Sequence, residues 1–282
     1  MPNTVFGVAV DHEIGVQLEQ LGIRIQPVEG DLFQVAADNP DAVILAGRPN
    51  ASLDDTLALH DGLKAILLAG DTSDVTIPDA MRKHWFAYFS RPFDLDEIVA
   101  TIQEAQAIQS WSDGIEVVSA RPNWLTLQVR CRRYTAERLV RFMREIVADL
   151  PAAERERVGM AFREIVLNGM EHGAAFDGAK HLCVSCIRTS RFVMYSVRDP
   201  GAGFDFNRLP HAAISNPADN PAQHMLYRAQ QGIRAGGFGL MVARDLVDEM
   251  LHNEAGNEVV LIKYLDSAGA ETVDAKGFGD AA

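Results

Sequence analysis

Short apolar runs alternate with amphipathic stretches over residues 1–109, and that alternation predicts a parallel sheet with helices on both faces. Residues 5–10 form the first apolar run, and a helical period over 14–21 stops at Gly22. Ile23-Arg24-Ile25 reads as a second short strand. The runs 42–46 and 65–69 are continuously apolar, the composition of strands buried on both sides, and 85–89 supplies a fifth strand. Over 94–109, Leu95, Ile98, Val99, Ile102 and Ala105 recur at helical spacing and define one apolar face.

The pattern changes beyond that helix. Residues 110–116 read as a linker, with Trp111 placed to pack between two domains. Over 124–131 the chain alternates, with Leu125, Leu127, Val129 and Cys131 on one side of a half-buried strand. Thr135 is a candidate cap for a helix running to 149, and Pro151 opens another that runs to 172. Strands follow at 182–188 and 192–197, then a polar stretch at 205–234 without period, a helix over 238–250 and a strand over 258–265. The second domain is therefore expected over 117–265, and the small, polar residues 266–282 as a flexible tail.

A chain of 282 residues accommodates two cores, and 48% hydrophobic with 23% charged residues is ordinary for globular domains. The net charge of -13 argues against nucleic acid or an anionic membrane as partner, since both need clustered Lys and Arg. No apolar run reaches the roughly 18–20 residues of a membrane helix. The start, Met1-Pro2-Asn3-Thr4, lacks a basic leader, and the cysteines Cys131, Cys183 and Cys186 are few and odd in number, so a cytoplasmic protein is expected. Cys183 and Cys186 lie three apart in a strand-like segment, which points them to opposite faces and suits neither chelation nor a dithiol.

Three segments carry candidate chemistry. In the helix predicted to end at 172, Val158, Phe162, Ile165 and Val166 turn to the core, leaving Glu164, Asn168 and His172 stacked at i, i+4 and i+8. An Asn oxygen is a neutral ligand that Mg²⁺ accepts beside phosphates, and a Glu one turn away can take a proton from an attacking hydroxyl. The pair alone is better explained as a solvated helix face. Asp199 follows a strand and opens Asp199-Pro200-Gly201-Ala202-Gly203-Phe204. Its carboxylate can accept from an exocyclic amine such as that of adenine, while Gly201 and Gly203 let backbone approach a base, although an ordinary Asp-Pro-Gly turn has the same residues. The third segment, Gly236-Gly237-Phe238-Gly239-Leu240, opens a helix, and N–H groups unobstructed by Cβ atoms there can receive phosphates. It is neither a dinucleotide fingerprint nor a Walker loop. The intervening 205–234 has the length of a lid, from which Arg228 and Arg234 are candidate phosphate contacts.

In this order the segments resemble the asparagine box and two glycine boxes of the gyrase/histidine-kinase/MutL ATPase superfamily, closest to its anti-sigma factor serine kinases. Leu246-Val247-Asp248-Glu249 and the closing Asn257–Tyr264 stretch agree, so the resemblance spans roughly 120–265. It implies a two-layer α/β sandwich holding ATP and Mg²⁺, with Asn168 as the Mg²⁺ ligand and Glu164 as the catalytic base. Asp199, Gly201, Gly203, Gly237, Gly239 and Leu240 would bind the nucleotide. It further implies transfer of the γ-phosphoryl to a serine on a small antagonist protein, with a sigma factor as a second partner. Residues 1–109 resemble a flavodoxin-like receiver domain, through Asp41-Ala42-Val43-Ile44-Leu45 and Ser90-Arg91-Pro92-Phe93. Its phosphoacceptor would fall near Ala46 or Gly47, its lysine is Arg91, and of its acidic pair only Asp11 is in place. A receiver so altered is expected to serve docking or a homodimer, not phosphotransfer. The alternative function is a non-catalytic ATP-dependent adaptor. A histidine kinase is disfavoured, because no histidine lies between His84 and His172 where its phosphoacceptor helices would fall.

Overall fold

The computed structural model describes residues 5–28, 30–48, 50–60, 62–70, 76–108, 111–203 and 238–265, together with 223, 225 and 230. The N-terminal half alternates β1 (Val5–Val8), α1 (His12–Gln20), β2 (Ile25–Pro27), α2 (Leu32–Asp38), β3 (Val43–Ala46), α3 (Ala51–Leu59), β4 (Lys64–Leu68), α4 (Ile77–Arg82), β5 (Ala87–Phe89) and α5 (Leu95–Ala107). Its strands pair in parallel in the order β2-β1-β3-β4-β5, the flavodoxin-like order. The two runs read as fully buried strands, β3 and β4, are buried at every position. The second strand lies two residues later than expected. Ile23 packs as a buried loop residue, after Gly22 (φ +89°) has ended α1 in a conformation glycine tolerates.

The positions where a receiver would carry its chemistry are occupied by structure. Ala46 is fully buried, and a Cβ at Gly47 would lie 3.2 Å from the Val10 Cα and closer still to the Ala9 carbonyl. Asp11 caps α1, accepting from the Glu13 N–H at 2.9 Å. The Arg91 guanidinium stacks 4.9 Å from the Phe93 ring.

The C-terminal half is an antiparallel six-stranded sheet, order β10-β11-β9-β8-β7-β6, built from β6 (Ile115–Arg121), β7 (Trp124–Arg130), β8 (His181–Arg188), β9 (Phe192–Arg198), β10 (Glu249–His252) and β11 (Glu258–Tyr264). The helices α6 (Arg133–Ile146), α7 (Ala152–Asn168) and α8 (Gly239–Leu246) form the second layer. Alternate strand residues such as Leu127, Val184, Tyr195 and Leu261 meet Leu139, Phe142, Phe162 and Ile165 of the helices. Phe162 and Tyr195 stack at 4.7 Å, and the Tyr195 hydroxyl donates to the Met143 carbonyl at 3.3 Å.

Four elements depart from expectation. The strand β6 begins within the expected linker, and a register shift between Val117 and Ser119 breaks the alternation that would reveal it. Thr135 does not cap α6; the helix starts at Arg133, and Thr135 packs inside its first turn, where a Cβ on Gly114 would lie 2.9 Å from its hydroxyl. The α-helical part of α7 ends at Asn168, and Gly169–Gly173 forms a π-turn. The helix expected over 238–250 stops at Leu246. Asp248 accepts from the Tyr264 N–H (2.6 Å) and Lys263 Nζ (3.0 Å), tying the chain to β11, so Glu249–His252 pairs as a strand.

The halves meet along α6. Arg138 is 1% exposed, and its guanidinium donates to the carbonyls of Phe86 (3.0 Å) and Trp85 (2.8 Å) and to Asp113 Oδ1 (2.9 Å). The rings of Trp111, Phe86 and Phe142 surround it at 5.1, 5.4 and 5.9 Å. One and two turns on, Arg141 meets Glu104 at 2.7 Å, Arg144 meets Glu97 at 3.1 Å, and Glu145 accepts from the Ser90 N–H and hydroxyl at 3.0 and 2.6 Å. Burial pushes the Asp113 carboxyl up, but Arg138, His84 and the Ile115 N–H outweigh it and hold the group below its ordinary value. A depressed carboxyl adds stability at pH above about 3.9 that is lost as pH falls through its folded value. Arg138→Met is therefore expected to lower unfolding free energy by about 3–5 kcal/mol, because it strands a buried carboxylate and two carbonyls. It should also flatten the acid limb of stability. Urea unfolding across pH 2.5–7 checks both, and an unchanged acid limb would contradict the assignment.

Candidate functional site

The helix α7 turns Val158, Phe162, Ile165 and Val166 into the core as its period requires. Glu164 and Asn168 are left half-buried, one turn apart on the same side, and neither side chain makes a hydrogen bond or ion pair with another described residue. His172 does not extend this stack. The wider π-turn alters the helical repeat after Asn168, and His172 is exposed. Beyond it, Ala175 and Phe176 take positive φ (57° and 52°), with the Arg133 guanidinium 4.7 Å from the Phe176 ring.

The π-turn creates a seat for Asp199. A Cβ at Gly173 would lie 2.6 Å from the Asp199 Cβ, one at Gly169 3.4 Å, and one at Gly201 2.9 Å from the Gly173 Cα. Only glycine at 173 lets this carboxylate lie against the helix end. Asp199 Oδ1 accepts from the Gly201 N–H at 2.7 Å, and its second oxygen has no bond among the described residues. Burial raises the Asp199 carboxyl, and the Gly201 bond partly offsets this.

A brace holds the Asp199 turn from behind. Asn253 Oδ1 accepts from the N–H groups of Gly256, Asn257 and Glu258 at 2.9–3.2 Å. Asn257 in turn donates through Nδ2 to the carbonyls of Asp199 (3.4 Å) and Gly201 (3.3 Å), and its own carbonyl accepts from the Asp199 N–H (2.9 Å). Gly203, at φ +78°, passes so close to this loop that a Cβ would lie 2.7 Å from the Ala255 carbonyl carbon. Neither Gly173 nor the Asn253–Asn257 pair was read from the sequence as a working part; the only local signal is two asparagines flanking a Gly-containing turn.

At the other end of α7, Gly239 is the first residue of α8, and a Cβ there would lie 3.0 Å from Glu164 Cγ and nearer still to its carboxylate. Among the described residues the helix has no side-chain cap, and its first turn begins against Glu164. Leu240 is half-buried and packs against the core. Gly236, Gly237, Phe204, Arg228 and Arg234, and most of 205–234, lie outside the described residues. At about 1.5 Å per residue, the Glu164 and Gly173 positions are separated by on the order of 13 Å along the helix. The described parts of all three segments thus line one edge of α7, with an acceptor carboxylate at one end and a helix N-terminus at the other.

Residues 130–263 match the family model of the histidine kinase-like ATPase domain. A domain of this type implies ATP binding in a regulatory protein. No curated protein matches the chain. Among solved structures, a protein described as pilus assembly-related from Burkholderia pseudomallei is 20% identical, with 40% of this chain and 95% of that chain covered and a TM-score of 0.32. A LuxR-family DNA-binding response regulator from Staphylococcus aureus is 14% identical, covering 37% and 98% (TM-score 0.31). A response regulator receiver domain protein from Clostridium thermocellum is also 14% identical, covering 36% and 93% (TM-score 0.31).

The residues of the ATPase-like domain fit a nucleotide. The second Asp199 oxygen, without a bond among the described residues, has the acceptor chemistry an exocyclic amine needs, while Gly173 and Gly201 lie against the bonded Oδ1. For Mg²⁺, Asn168 supplies one neutral oxygen, which suits an ion otherwise bound by phosphates and water. Cys183 is exposed and Cys186 buried, on opposite faces of β8; burial pushes the Cys186 thiol up to about 12 and Cys131 up to about 11. Among the described residues no helix is long and apolar enough to cross a membrane.

Two substitutions separate fold from site. Gly203→Ala is expected to destabilise by about 1–3 kcal/mol through positive φ and the clash with Ala255, read as a lower melting temperature. Gly239→Ala should displace the flexible Glu164 side chain with little change in melting temperature and weaken binding of a fluorescent ATP analogue.

Proposed function

We propose that the ATPase-like domain transfers the γ-phosphoryl group of ATP to a serine on a protein partner, and that nucleotide state switches which partner is held. One observation carries this reading: Glu164 of α7 rests against Gly239 at the start of α8, while the π-turn that ends α7 seats Asp199. On this reading Asp199 accepts from the adenine amino group and fixes the base. The α8 N–H groups meet phosphate oxygens, and Asn168 offers its amide oxygen to Mg²⁺, which supplies charge neutralisation at the phosphates. Glu164 orients the serine hydroxyl and takes its proton. Phosphoryl transfer of this kind is chiefly positioning and electrostatics, so so few catalytic side chains suffice. The resemblance to anti-sigma factor kinases points to a small antagonist as the substrate and a sigma factor as the alternative partner.

A second reading is a non-catalytic, ATP-dependent adaptor. Its specific support is the N-terminal domain, whose phosphotransfer positions are filled by Ala46, Gly47 and Arg91. Turnover separates the two.

With ATP and Mg²⁺, the protein is expected to label an antagonist partner on serine. Glu164→Ala should abolish labelling and leave nucleotide affinity within a few-fold; loss of both would remove Glu164 from the base role. Asp199→Asn should weaken ATP binding about tenfold or more, as expected for a lost charge-assisted hydrogen bond. Because burial raises the Asp199 carboxyl, acidification should weaken ATP binding at a pH above the ordinary aspartate range, near 4. The Asn variant should lack that pH dependence in a titration followed by fluorescence.

A further inference from the structure

A cavity of about 330 Å³ lies at the junction of the two halves. Its walls come from the end of α4 on one side and from β6, β7 and the start of β8 on the other. The volume is at the lower end for small-molecule sites, and domain junctions are where such sites recur.

The polar groups of its lining are unequally committed. Asp113 is engaged at both oxygens: Oδ1 accepts from Arg138 Nη1 (2.9 Å) and the Ile115 N–H (3.0 Å), and Oδ2 lies 2.8 Å from His84 Nδ1. Its charge is matched within the protein. Arg82 uses one nitrogen on Asp79 (3.2 Å), and Arg130 uses one on the Gly178 carbonyl (3.2 Å), so each keeps further N–H groups for the cavity. His181 is the register partner of Arg130, which puts both on one face of the sheet, and Gln128 follows two residues away on that face. Glu116, paired with Gln128, is the remaining acid at the rim. The donors are contributed from both halves of the chain. A divalent cation is disfavoured, since among the described residues no group of three or more His, Cys, Asp or Glu could hold one.

We propose that this junction cavity binds a small multivalent oxyanion, a phosphate ester or a polycarboxylate, bridged by Arg82 of the N-terminal domain and by Arg130 and His181 of the C-terminal domain. Arginine forks match the planar oxygen pairs of such groups, and donors from both halves make the ligand a cross-link between them. Its placement beside Asp113 and His84 sets it next to the Arg138 contact that joins the halves. The assignment is independent of the nucleotide reading.

Calorimetric titration of the full chain with citrate and with inorganic pyrophosphate tests it. Binding should weaken about tenfold or more in Arg82→Ala and in Arg130→Ala, each removing a charge-assisted bond, and persist in Arg121→Ala at the opposite end of the sheet. Both test arginines are at the surface, and a thermal melt of each variant checks that it folds. Citrate binding alone identifies a polycarboxylate, and pyrophosphate binding alone a phosphate ester. No binding of either probe, or binding indifferent to both substitutions, would overturn the proposal.

Discussion

A guanidinium with 1% of its surface exposed must have partners for its charge and its donors, and Arg138 finds them by drawing two domains together. Its carbonyl partners, Trp85 and Phe86, belong to the edge of the parallel sheet, and its carboxylate, Asp113, to the connection. Separating the halves would expose three aromatic rings and leave that set to water. The flanking pairs, Arg141–Glu104 and Arg144–Glu97, are partly exposed and contribute less each, but they repeat along α6 and so fix the direction in which the domains lie. The interface combines this polar geometry with an apolar cluster continuous across both halves.

The same helix serves the site. Glu137, one residue before Arg138, accepts from Arg163 Nε at 2.9 Å, and Arg163 immediately precedes Glu164 on α7. The face of α6 that meets the parallel sheet and the edge that steadies α7 are thus one peptide unit apart. α7 is in turn the ruler of the site, with Glu164 and Gly239 at one end and the π-turn under Asp199 at the other. The departure from α-helical geometry falls where a close backbone approach is needed, which is a recurrent association for such turns.

Much of this was legible in the order of residues. The runs that became β3 and β4 are apolar throughout because both faces are covered, and no turn or charge interrupts them. Glu164, Asn168 and Asp199 could be nominated from sequence because their chemistry and spacing are local, and the structure places Glu164 and Asn168 half-buried on one side of α7 with Asp199 against the turn that follows it. What escaped depends on contacts between distant segments. β10 continues a helical pattern, and the helix is ended by contacts with β11: Asp248 accepts from Lys263 and Tyr264, its N–H donates to the Ile262 carbonyl, and Glu249–His252 pairs alongside. Gly173 gains its role from Asp199, Asn257 from the turn it braces, and Arg138 from the other domain; as isolated letters they read as a helix end, a loop amide and a solvated charge.

The N-terminal domain keeps the parallel sheet while its expected phosphoacceptor positions are filled by Ala46 and Gly47. Asp11 caps a helix and Arg91 stacks on Phe93. The face formed by β5 and the ends of α4 and α5 is the part that meets α6, so that face is occupied within the chain itself. A domain held in this way acts on its neighbour through the contact itself: the energy of the Arg138 set is common to both halves. Any ligand or partner that binds the docked and undocked arrangements unequally shifts that balance by its difference in affinity, with no need for a phosphorylated aspartate.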